Sequence, residues 1–124
     1  RFPGFVSGAT KDAFLYLADV YVLPSKYESF GLTLLEAMSH ETAVIVSDTD
    51  GSRDIVDPTF GRMLSFGEPS ERAERLAAAI LELSSQDLRG MGAAARAASE
   101  RYRWDAVARL LRDVAFASPA RGDP

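Results

Sequence analysis

Two glutamates, Glu28 and Glu36, flank Phe30-Gly31-Leu32-Thr33 just beyond an apolar run that ends at Leu23-Pro24. Read as a helix from Gly31, the segment puts Leu34, Leu35 and Met38 on one side and Thr33, Glu36 and His40 on the other. One face is then core and the other is available. Helical side chains lean toward the N-terminus, so Glu36, about 7.5 Å along the axis from Gly31, can present its carboxylate to the helix start. Glu28, in the preceding loop, can approach the same crevice. Unpaired amides around Phe30, Gly31, Leu32 and Thr33 attract an anion there, and glycine lets the anion come close to the backbone. Carboxylates repel phosphate yet accept hydrogen bonds from sugar hydroxyls. A guest that suits both kinds of group is a nucleoside diphosphate sugar. The plainer alternative is two solvated surface acids with no shared task.

The elements that must position these groups follow from period and punctuation. Asp19–Leu23 and Ala43–Ser47 are near-continuous apolar runs, the pattern of strands covered on both faces in a parallel sheet. Gly61–Ser65 predicts another strand, and Phe2–Val6 a weaker first one, broken by Pro3 and Gly4. Helices are predicted from a cap at Thr10 to Leu17, over Gly31–His40, over Gly51–Val56, from Ser70 to Leu83, from Gln86 to Tyr102 and from Trp104 onward. Alternation of this kind implies an α/β fold: a Rossmann-like parallel sheet of about four strands with flanking helices, ligands sitting beyond the carboxyl ends of the strands. Residues 1–117 are expected to form one domain, thin for a doubly wound sheet and therefore incomplete, and 118–124 a flexible tail.

Composition narrows the partners. The chain has 124 residues, 47% of them hydrophobic and 26% charged, which suits one water-soluble domain with an apolar core. Its 14 basic against 18 acidic residues give a net charge of −4, the wrong sign for a nucleic-acid surface. With no cysteine and one histidine, thiolate metal sites and disulfides are excluded. No apolar run approaches the roughly 20 residues of a bilayer span, and the N-terminus lacks the order of a signal peptide, so a cytoplasmic protein is expected.

The residues themselves resemble a family. Glu28 and Glu36 in Glu-x7-Glu spacing, with Pro24-Ser25 before them and Phe30-Gly31 and Glu36-Ala-Met38 within, are similar to the signature of family 4 retaining glycosyltransferases of the GT-B fold. The resemblance runs on through Phe2-Pro-Gly-Phe-Val6, Leu17-Ala-Asp-Val20, Ala43-Val-Ile-Val-Ser-Asp48, Gly51, Asp54-Ile-Val56, Gly61 and Tyr102-Arg-Trp104. It is to the latter part of the C-terminal, donor-binding domain, and implies that the acceptor-binding N-terminal domain is missing. It further implies that Glu28 contacts the transferred sugar, Glu36 the ribose, and amides near Gly31, Leu32 and Thr33 the diphosphate. Val6 is placed near the nucleobase, with Lys11 close by. No metal or other cofactor is expected. The basic pair with which relatives stabilise the leaving diphosphate has no match here. His40-Glu41 replaces a small residue and glycine, Thr42-Ala43 a lysine or threonine and proline, and Asp50-Gly51 a Gly-Gly pair.

Other features have structural readings. Asp48, Asp50, Asp54 and Asp57 fall where Asp caps helices and bends loops rather than where it would gather a metal. The arginines after residue 70 interleave with glutamates as solvated helix faces. His40 suits a helix C-terminus, and Trp104 with Leu110 and Leu111 suits a helix docked on the sheet. The function implied is the donor-binding part of a retaining hexosyltransferase, inactive alone. The alternative is a non-catalytic sugar-nucleotide-binding subunit that completes an enzyme in trans; a receiver-like signalling domain would have no use for the glutamates. A truncated sheet leaves an edge or apolar patch bare, so the isolated chain is expected to self-associate.

Overall fold

Ala43–Ser47 is the middle of the molecule because all five of its residues are buried, and only a strand flanked on both sides and covered on both faces meets that condition. The computed structural model describes residues 2–65 and 67–116. In chain order these form α1 (Gly8–Leu17), β1 (Val20–Leu23), α2 (Leu32–Ser39), β2 (Ala43–Ser47), α3 (Asp50–Arg53), β3 (Gly61–Leu64), α4 (Arg72–Ser84), α5 (Leu88–Ser99) and α6 (Trp104–Phe116). Single 3-10 turns, Pro69–Glu71 and Glu100–Tyr102, precede α4 and α6. The sheet is parallel, ordered β1-β2-β3, with Val20 opposite Ala43 and Val44 opposite Gly61.

Alternation along β2 divides the core. Val44 and Val46 pack with Leu34 and Met38 of α2, Ile55, Phe60 and Ala95 of α5. Ala43 and Ile45 face the other way, against Ala79 and Leu83 of α4 and Met91 of α5. At about 25 cal/mol per Å², burying Leu34, Met38, Ile45 and Leu83 completely contributes roughly 1.5–3 kcal/mol each. That packing fixes α2, and so the start of α2, against the sheet.

Among the described residues three strands are found, not four. Phe2–Val6 is not a strand: Pro3 has no N–H for a ladder, and Gly4 takes φ +79°, which turns the chain out of extended geometry. α1 starts at Gly8 with Ser7 in the cap position, so Thr10 is inside the helix rather than capping it. The predicted helix over Gly51–Val56 is a single turn, and the predicted Gln86–Tyr102 helix is α5 followed by the 3-10 turn. Leu35 is only half-buried; Ala37 fills the core position beside Leu34 and Met38. α6 does not dock on the sheet: it has no buried residue, and Trp104 is 83% and Leu110 64% exposed. The tail 118–124 lies outside the described residues. Glu41 takes φ +62°, a left-handed conformation that suits the glycine the family resemblance would place there. Gly92 of α5 packs on its carbonyl so closely that an added methyl group would overlap the Glu41 oxygen.

Candidate functional site

The loop from Pro24 to Gly31 is fastened before any guest arrives. Gly51, at the single turn α3, donates its amide to the Glu28 carbonyl at 3.1 Å, and a methyl group added there would stand 2.6 Å from that same oxygen. α3 is in turn tied by a capping box between Thr49 and Ser52, whose hydroxyl also donates to the Ser47 carbonyl at 2.6 Å. Gly31, at φ +75°, reverses the chain into α2, and its carbonyl accepts the Leu35 amide at 3.1 Å to begin the helix.

This turn presents four amides to the crevice, and the Glu28 side chain takes two of them. One Glu28 oxygen, Oε1, accepts from Gly31 N–H at 3.0 Å and from Phe30 N–H at 3.4 Å. The amides of Leu32 and Thr33 have no acceptor among the described residues. An anion arriving at the start of α2 therefore finds Leu32 and Thr33 open and Gly31 already engaged.

Glu36 lies one turn further along α2 and is met by Lys11 of α1, whose Nζ donates to Oε1 at 2.6 Å. Both side chains are partly exposed. The bond to Glu36 raises the Lys11 ammonium above its ordinary value of 10.5. α1 is held in place for this by Thr42, a buried residue whose hydroxyl donates to the Leu15 carbonyl at 2.8 Å.

Glu28, Phe30, Gly31, Leu32, Thr33 and Glu36 share one groove of about 910 Å³, with Tyr102, Trp104 and Val107 on its far side. Phe30 meets Tyr102 edge to face, ring centres 5.9 Å apart, and the Tyr102 hydroxyl donates to the Asp54 carbonyl at 2.9 Å. Lys11 reaches the groove only through Glu36. Val6 stands outside it, one residue before the α1 cap. His40 closes α2, its Nδ1 2.8 Å from the Glu36 carbonyl. The four aspartates have local partners or positions: Arg53 bonds Asp48 and Asp50, Asp54 ends α3, and Asp57 accepts the Thr59 amide. Hydrogen bonds from the Thr59 side chain first, and from its amide second, draw the Asp57 carboxyl below its ordinary value. No helix among the described residues is long and apolar enough to cross a membrane.

Three contributors were not visible in the sequence: Gly51 as the fastening of the loop, Tyr102 as the buttress of Phe30, and the Lys11–Glu36 bond. Each joins positions more than 20 residues apart, beyond the reach of any local pattern.

Comparison with known proteins gives matches in both sequence and fold. The profile of the family described as "Glycosyl transferases group 1" matches residues 1–103. A phosphatidyl-myo-inositol mannosyltransferase of Mycolicibacterium smegmatis is 39% identical over 117 residues, covering 90% of this chain and 29% of its own. A D-inositol 3-phosphate glycosyltransferase of Xylanimonas cellulosilytica is 36% identical over 98 residues, covering 78% of this chain and 23% of its own. The solved sucrose-phosphate synthase of Thermosynechococcus elongatus superposes with a TM-score of 0.69 at 32% identity, over 85% of this chain and 27% of that one. The chain thus spans less than a third of the length of these relatives, and its α/β layout is that of a GT-B glycosyltransferase. By its residues, its fold and these matches, the chain belongs to the glycosyl transferases group 1 family.

Proposed function

We propose that this chain is the donor-binding part of a family 4 retaining glycosyltransferase, taking a nucleoside diphosphate sugar and serving in transfer of its hexosyl unit. The observation that carries the reading is the single groove in which two carboxylates meet the two open amides at the start of α2. Leu32 and Thr33 N–H would hold the diphosphate, an electrostatic role that strengthens as the leaving group gains charge. Glu28, with one oxygen committed to the loop, offers the other to a hydroxyl of the transferred sugar. Glu36 would accept from the ribose hydroxyls, with Lys11 keeping its carboxylate in place. No metal is assigned. The acceptor would be held by a domain outside this chain, attacking on the face from which the diphosphate leaves.

Calorimetric titration of the chain with nucleotide sugars tests this, a mannosyl nucleotide first because one relative is named a mannosyltransferase. Weak binding is expected, lost about tenfold or more in Glu36→Gln, and the chain alone should transfer nothing. Sugar transfer by the 124-residue chain alone, or binding unaffected by both Glu28→Gln and Glu36→Gln, refutes the reading.

A further inference from the structure

A second cavity, of about 310 Å³, opens at the carboxyl ends of the three strands, between the sheet and α4, and shares no wall residue with the groove. Ser47 ends β2 on its α4 face, by the same alternation that turns Ala43 and Ile45 that way. It is only 7% exposed, and its hydroxyl is the one buried side-chain polar atom among the described residues with no hydrogen-bond partner. Ser52 bonds the Ser47 carbonyl, not the hydroxyl. The cavity wall also carries Ser25, Thr49 and Ser65 beside Leu64 and Leu76, and none of them bonds that hydroxyl. A buried hydroxyl without a partner is unfavourable unless something arrives to bond it.

The charges on the same wall say what would arrive. Lys26 and Arg72 line the cavity, and among the described residues neither is paired with a carboxylate. Most arginines elsewhere in the described chain are paired: Arg53, Arg62, Arg75, Arg96, Arg103 and Arg109 each hold an acid. The only acid on the wall, Asp48, is bound by Arg53 at 2.6 Å. An ammonium, a guanidinium and a hydroxyl donor around a small cavity make a site for a compact dianion with several acceptor oxygens. We infer that this cavity binds a phosphate group, free or as the monoester of a small alcohol, with Ser47 donating and Lys26 and Arg72 supplying charge. None of its wall residues lines the groove assigned to the donor, so the site is separate from donor binding.

Thermal unfolding and calorimetry of the full chain with inorganic phosphate, glycerol 3-phosphate, and sodium chloride or acetate at matched ionic strength test it. Phosphate or its monoester should raise the melting temperature where chloride and acetate do not, and the tighter of the two identifies the source. Ser47→Ala removes an unpartnered hydroxyl, so its melting temperature without phosphate should equal or exceed that of the parent, while phosphate affinity falls about tenfold. Arg72→Gln should lose at least as much. Equal stabilisation by acetate, or phosphate binding unchanged in both Ser47→Ala and Arg72→Gln, overturns the inference; the latter result would place the phosphate at the start of α2 instead.

Discussion

The two walls of the groove are built differently. The α2 wall rests on Leu34, Ala37 and Met38, all fully buried, and its loop is bonded across to Gly51. The α6 wall has no buried residue and joins the rest mainly through the 3-10 turn at Glu100–Tyr102. Every polar group assigned to recognition is on the first wall. Groups that must hold a diphosphate and two sets of hydroxyls need fixed geometry, which core packing supplies. The opposing wall contributes Trp104 and Val107, which offer apolar surface.

This contrast is open to attack, most forcefully through the core. Leu34→Ala under α2 should cost about 2–5 kcal/mol in denaturant unfolding, whereas Leu110→Ala on α6 should stay within about 0.5 kcal/mol. Similar losses at the two positions would mean that α6 is packed as firmly as α2. Next comes the fastening of the loop. Gly51→Ala must push the backbone at Glu28 away, so a stability loss of about 1–3 kcal/mol is expected together with a larger loss of donor affinity, read by calorimetry. Unchanged donor affinity would show that the 28–31 loop is not held from α3.

The smallest effect concerns Lys11, and pH isolates it. Its bond to Glu36 raises the ammonium, so the stability it adds is complete below the ordinary value of 10.5 and fades as pH climbs through the raised one. The parent should therefore lose slightly more stability than Lys11→Gln between about pH 10 and 12, followed by denaturant midpoint; parallel curves would remove Lys11 from the site.

Much of this was legible in the residues, for physical reasons. Ala43–Ser47 reads as a central strand because burial on both faces demands an unbroken apolar run, and Leu34 with Met38 reads as a buried helix face because one turn separates them. Glu36 and the amides of Leu32 and Thr33 were readable because helix periodicity sets their relative placement, whereas Glu28 is placed by the loop. The same reasoning misplaced α6: apolar residues at helical spacing say that a face wants cover, not that cover lies within these 124 residues. Phe2–Val6 failed because strand formation needs a neighbour as well as apolar residues. The Lys11–Glu36 and Gly51–Glu28 contacts depend on how α1 and α3 sit against α2, which the packing decides.

Glu28 acts as its own placeholder. With a carboxylate oxygen already seated on the Phe30 and Gly31 amides, the turn is shaped by an internal anion, and its entropy is spent during folding rather than at the moment of encounter. Glu28→Gln would replace that negative guest with a neutral one, so the damage should show in the resting protein as well as in the loaded one.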